Sequence, residues 1–174
     1  MLDDNPYRIP QADEEPLVKR TRYDSIGGWL ILLAIGLTFT IVRVGIELAT
    51  NHLPVVTEGK LSVLMDPDSP HYIPWFGTFL VFEVLGNLAL AAGAFGLLIV
   101  MFKKSRRFPS LTITFFVFNL AFVALDYVLA IYVLQLDVQP DAAELQATFR
   151  GLAFTVIWTL YLLMSKRVKG TFVR

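Results

Sequence analysis

Four long apolar runs, separated by short polar segments, set the pattern of this chain: Ile26 to Ala49, Trp75 to Phe102, Leu111 to Leu134, and Ala147 to Met164. A helix rises 1.5 Å per residue, so about 20 mainly apolar residues cross the roughly 30 Å of hydrocarbon in a bilayer. Each run meets or approaches that length. A chain in hydrocarbon must pair its N–H and C=O groups within the segment, which predicts four helices rather than strands. The expected fold class is an all-α, integral membrane four-helix bundle.

Polar punctuation agrees with these limits. Asp24 and Ser25 can cap the first helix, Pro74 precedes the second, and Pro109 parts a basic loop from the third. Pro140-Asp141 with Glu144 reads as a capping box that starts the fourth before its apolar stretch. Gly27-Gly28 reads as a tight turn into the first helix. Residues 1–24, interrupted by Pro6, Pro10 and Pro16 and carrying Asp13, Glu14 and Glu15, read as a disordered cytoplasmic tail. No cleavage pattern of a signal peptide follows the first apolar run. Residues 25–174 form the membrane domain. The outer segment Asn51 to Pro74 is expected either as a short hairpin, Val55 to Thr57 against Leu61 to Met65, or as a short interfacial helix.

Charge adds an orientation. Of 15 Lys and Arg, twelve fall in three groups: Arg8, Lys19, Arg20 and Arg22; Lys103, Lys104, Arg106 and Arg107; and Lys166, Arg167, Lys169 and Arg174. With four spans these groups share one side, and the positive-inside rule makes that side cytoplasmic, with both termini inside. The opposite side carries Glu58, Asp66, Asp68, Asp137, Asp141 and Glu144. The basic tail from Ser165 to Lys169 is expected to lie against headgroups as a topology anchor.

Five ionisable residues fall inside or at the edge of the spans: Arg43, Glu47, Glu83, Asp126 and Arg150. Each costs about 2.5–3.5 kcal/mol near a helix centre, so such groups should face the bundle interior and find partners. Helical rise puts Arg43 about 21 Å from the cytoplasmic edge, and all five in the outer half. Arg43 and Glu47 are i,i+4 neighbours, as are Glu83 and Asn87, while Asn119 and Asp126 share a face seven residues apart. These seven residues are the candidate site, an intramembrane polar cluster. It reads either as a polar cavity for an ion or small solute, or as interhelical glue that fixes packing; a balanced layer favours glue. The small-residue stripe Gly86, Ala89, Gly93 and Gly96 reads as a packing surface.

Composition mostly excludes. Hydrophobic residues make up 55% and charged residues 17%, against about a quarter charged in soluble domains. Cysteine is absent, which removes disulfides, thiolate metal sites and Cys nucleophiles. Net charge is zero, and nucleic acid is not an expected partner. His52 and His71, with Asp66 and Asp68, match no compact metal-ligand spacing and read as ordinary loop residues. No G-x-S-x-G, H-E-x-x-H or phosphate-binding glycine loop occurs, so neither an enzyme nor a cofactor is expected.

Several stretches resemble an uncharacterised bacterial family, domain-of-unknown-function family 2569. They are Ile26 to Leu30 with Ile35 to Leu37, Asp66 to Trp75, Phe82 to Asn87, and Phe102 to Lys104 through Phe108-Pro109. The ending is the most specific: Ile157-Trp158, Tyr161, Ser165 to Lys169, and Thr171 to Val173. Leu160 departs from the proline found before the tyrosine in many relatives, which implies a less kinked fourth helix. The resemblance implies a four-helix protein of the bacterial inner membrane and carries no activity. The expected function is a non-enzymatic accessory or interaction subunit, whose partners are the lipid bilayer and another membrane protein or a second copy. The alternative is a small ion- or proton-coupled transporter that uses the charge cluster.

Overall fold

The computed structural model describes residues 26–134 and 142–173, and among them every regular element is a helix. The chain runs through α1 (Trp29–Glu47), a π-helical turn (Leu48–His52), α2 (Leu53–Thr57), α3 (Lys60–Met65), α4 (Phe76–Phe102), α5 (Phe108–Leu134), α6 (Ala142–Met164) and α7 (Lys166–Thr171). Three stretches are long and apolar enough to cross a membrane: Trp29–Thr57, Phe76–Phe102 and Phe108–Leu134. A shorter apolar stretch, Phe149–Met164, is the fourth. The architecture is thus an all-α membrane helical bundle.

α4 and α5 are apolar around their whole circumference, as helices in lipid are. Hydroxyls on α1 are silenced locally. Thr38 and Thr40 donate to the carbonyls of Ala34 and Gly36 at 3.0 and 3.1 Å, and so present little unpaired polarity. α1 packs on α4, α4 on α5, and α5 on α6. One end of the bundle carries the 103–107 loop and α7 and is termed the basic end; the other carries α2 and α3 and is termed the loop end.

The contiguous core lies wholly toward the basic end. It comprises Leu30, Leu33 and Leu37 of α1, Ala94, Leu97 and Met101 of α4, Phe108 and Phe116 of α5, Trp158 and Leu162 of α6, and Val168 with Phe172 from the tail. No helix member is more than eight residues from its helix terminus at that end, about 12 Å along the axis. Trp29 and Trp158 close the seam between α1 and α6 edge to face at 6.3 Å.

The tail is part of this core and not only an anchor. Ser165 caps α7 by accepting from Val168 N–H, and Val168 and Thr171 turn inward beneath the bundle. Phe172 stacks on the fully buried Phe108 with ring centroids 4.5 Å apart. Arg106 Nε donates to the Val173 carbonyl at 2.6 Å. The Arg167 guanidinium lies over Gly27-Gly28, where a methyl group added at Gly27 would come within 2.8 Å of Nη2. Gly28 also has φ +58°, so this turn needs glycine twice over.

One expectation changes at the loop end and one at the basic end. The hairpin does not form, because the first membrane helix runs on through the π turn to Thr57, and Leu61 to Met65 lies in α3. Pro54 stands in the first turn of α2, where its missing N–H breaks no helical bond. Gly59, at φ +72°, then reverses the chain into α3. Pro109 likewise sits in the first turn of α5 and does not precede it. Asp24, Ser25, Pro140 and Asp141 lie outside the described residues, as does the tail 1–24.

Candidate functional site

Polar side chains within the bundle gather at the loop end. Glu47, Glu83 and Asp126 stand eighteen or nineteen residues from the basic terminus of their helices, a common level about 27 Å up the bundle. They feel one another electrostatically: Asp126 and Glu47 both act on Glu83, and Glu47 acts on Asp126. Asn87, one turn below Glu83 and buried, donates its Nδ2 to the Glu83 backbone carbonyl at 3.1 Å. Both groups belong to α4, so this bond links nothing across helices.

His52 joins this level from α1 and had no place in the site expected from sequence. Its ring is buried, and Nε2 lies 3.4 Å from Glu83 Oε2. The π turn is what delivers it. A π turn widens the helix by one residue and rotates everything beyond it, which carries His52 onto the face that α4 covers. The ring's other nitrogen, Nδ1, lies 3.4 Å from the Glu47 carbonyl, the group five residues back along the same turn. Within the cluster, two buried polar atoms have no hydrogen-bond partner: His52 Nε2 and Asp126 Oδ1.

The arginines stand apart from this acidic level. Arg43 and Arg150 are each fourteen residues from the basic terminus of their helices, about 21 Å up and one turn below the carboxylates. Arg43 Nη1 meets Glu47 Oε2 at 3.5 Å, a pair within one helix whose side chains are 51% and 31% exposed. Arg150 is exposed and forms no ion pair among the described residues. The two-arginine, three-carboxylate layer is therefore two tiers, with histidine rather than arginine facing Glu83. Ion pairing by Arg43 follows from i,i+4 spacing, whereas the partner of Glu83 depends on how α1 meets α4.

Asn119 belongs to a different feature. A cleft of about 280 Å³ opens between α1, α5 and α6, lined by Gly36, Thr40 and Arg43 on one side, Phe116 and Asn119 at its floor, and Gly151 on the other. α6 is loosely covered beside it: every residue from Phe149 to Phe154 is exposed, although the Phe154 ring still meets Phe116 at 5.7 Å.

The glycines divide along the same line. A side chain at Gly86 would collide with the Phe122 ring, and one at Gly93 would come within 3.0 Å of Phe115. Two turns of α5 thus seat their rings in the α4 stripe. Gly96 of that stripe meets nothing within 4 Å, and neither do Gly36 and Gly151 in the cleft.

His71 lies in the exposed turn that opens with Asp66, which accepts the Asp68 N–H on Oδ1 at 3.0 Å. Among the described residues, no three metal-ligating side chains converge.

An all-helical bundle of membrane-spanning length, with acids and one histidine gathered at one end, defines the class of protein. Residues 23–173 match the family described as protein of unknown function, DUF2569, and the chain belongs to that family. No curated protein and no solved structure matches the chain significantly.

Proposed function

We propose that the protein is a non-enzymatic interaction subunit of an inner-membrane assembly in bacteria, docked to a membrane partner through the cleft between α1, α5 and α6. The observation that carries this reading is the pair of open glycines, Gly36 and Gly151, facing a cleft that this chain leaves unfilled. In lipid, small residues let a neighbouring helix approach closely, and close packing is the main source of helix affinity there. Gly86 and Gly93 are already used that way within the chain, by Phe122 and Phe115. Arg150 beside the cleft gives a partner's carboxylate or polar group something to meet. We read the basic end as cytoplasmic, with both termini inside, because Lys103, Lys104, Arg106, Arg107, Lys166, Arg167 and Lys169 lie there and the remaining cations of the two terminal segments follow the same charge pattern in the sequence.

A proton-coupled carrier draws support from the His52–Glu83–Asp126 cluster, but less of it. A path from that cluster to the basic end would have to part a continuous apolar core sealed by Phe108 and Phe172.

The test is gentle extraction from native membranes at natural expression, read by native mass spectrometry, for the wild type and for Gly36→Leu and Gly151→Leu. Both positions have room for the added side chain, so the variants are expected to fold and to lose the partner. A wild-type chain that flies alone, or variants that keep a stoichiometric partner, would overturn the docking reading.

A further inference from the structure

We propose that His52 and Glu83 form a proton-binding latch that holds the π-turn segment of the first membrane helix, residues 48–57, against α4. The two ring nitrogens face different acceptors. Nδ1 faces the Glu47 carbonyl at 3.4 Å, and a carbonyl only accepts, so the bond there requires the proton on Nδ1. In the neutral ring Nε2 is then a bare lone pair, buried and 3.4 Å from a Glu83 carboxylate oxygen. Two acceptors facing each other in a largely buried site repel. One proton placed between them, on Nε2 or on Glu83, turns the repulsion into a hydrogen bond or an ion pair. The contact that ties the π turn to α4 is therefore conditional on that proton.

The surroundings make the condition sharper. Charged groups reach the pair from every helix packed around it: Glu47 from the same stretch, Glu83 from α4 and Asp126 from α5. All three are acids. Arg43 engages Glu47 from a turn below, and among the described residues His52 is the only cationic candidate at the acidic level. Loss of the proton leaves three carboxylates at one level facing an uncharged ring. The segment that would respond is one already set off from α1, because the wide turn Leu48–His52 interrupts the regular helix immediately before it. The bound species is the proton itself: three metal-ligating groups do not converge among the described residues. The inference does not rest on the docking reading, since the cleft lining shares no residue with the latch.

Ring-nitrogen NMR on the histidine-labelled full chain in nanodiscs tests it directly, because His52 and His71 are the only two histidines. Backbone amides of residues 48–57 are followed in the same titration from about pH 5 to about pH 8, the window where imidazole charge changes. The expected result is that the His52 ring and the 48–57 amides change together at one midpoint, with exposed His71 as the internal reference. In Glu83→Gln, whose amide can donate to Nε2 at every pH, the 48–57 amides should stop responding, and at least tenfold less of their shift should remain. The idea is overturned if the His52 ring titrates with no amide response. It is also overturned if Glu83→Gln behaves as the wild type, or if His52 shows no proton exchange. His52→Gln is the second variant and should likewise make the segment insensitive to pH.

Discussion

The two ends of the bundle are built on different principles. Toward the basic end, four helices and the tail interlock through Leu30, Met101, Phe108, Trp158 and Phe172, with aromatic rings at 4.5–6.3 Å. Toward the loop end, polar groups such as His52, Glu83 and Asn87 interrupt smaller apolar contacts, Val44 and the Phe82–Phe122 ring pair among them, and α6 is exposed from Phe149 to Phe154. Packing of the first kind tolerates no unfilled space and gives one arrangement. Contacts of the second kind depend on which atoms carry protons or what fills a cleft, so that end is free to respond. The lesson is that the contiguous apolar core and the cluster of membrane-level polar groups occupy separate halves of one small domain.

The largest expected effect breaks the apolar half. Phe108 is fully buried, stacks on Phe172 and starts α5. Phe108→Ala leaves a cavity that the tail cannot fill and should cost about 3–5 kcal/mol. Thermal denaturation in mild detergent should show a large fall in midpoint, and α7 should become sensitive to protease. If α7 stays protected, the tail is held by Arg106 and not by the ring stack. Next comes Gly86→Leu, which drives a side chain into Phe122 at the α4–α5 seam and should cost about 1–3 kcal/mol or more. The same change at Gly96, where nothing lies within 4 Å, should be close to neutral. A similar loss at both positions would show that the stripe packs differently from the geometry described above.

Much of this plan is legible in the residues, and the reasons are local. An apolar run of some twenty residues has one solution in lipid, so the four helices follow from pattern alone. Helical rise alone also puts Glu83 and Asp126 in the outer half with Glu47. What is not legible depends on how helices are rotated against each other. Nothing near Glu83 in the sequence says that α1 rather than α6 supplies its neighbour. In the sequence His52 reads as a loop residue, because the first apolar run ends at Ala49. The available signal was that Pro54 fits a first helical turn, which allows the helix to resume at Leu53. The tail misleads in the opposite way: Lys166, Arg167 and Lys169 advertise the membrane surface, while Val168 and Phe172 between and after them carry the packing.

The polar half can be divided further by comparing two of its side-chain contacts. His52–Glu83 joins two helices and is largely buried, whereas Arg43–Glu47 lies within one helix and is half-exposed. His52→Leu leaves Glu83 without its neighbour and beside Asp126, and the loss of a buried partner should cost about 1–3 kcal/mol. Arg43→Gln removes only an i,i+4 pair, for which about 0.2–0.5 kcal/mol is expected. Both variants are read by thermal midpoint in the same detergent, and the ordering is the content of the prediction. If Arg43→Gln proved the costlier change, its guanidinium would have to hold something beyond Glu47. The place to look would be the cleft, where Arg43 is the one charged side chain in the lining. Repeating the measurement on the partner-bound form would then separate the cases: an Arg43 that supports only its own helix costs the same in both, whereas one that faces a docked helix costs more when the partner is present.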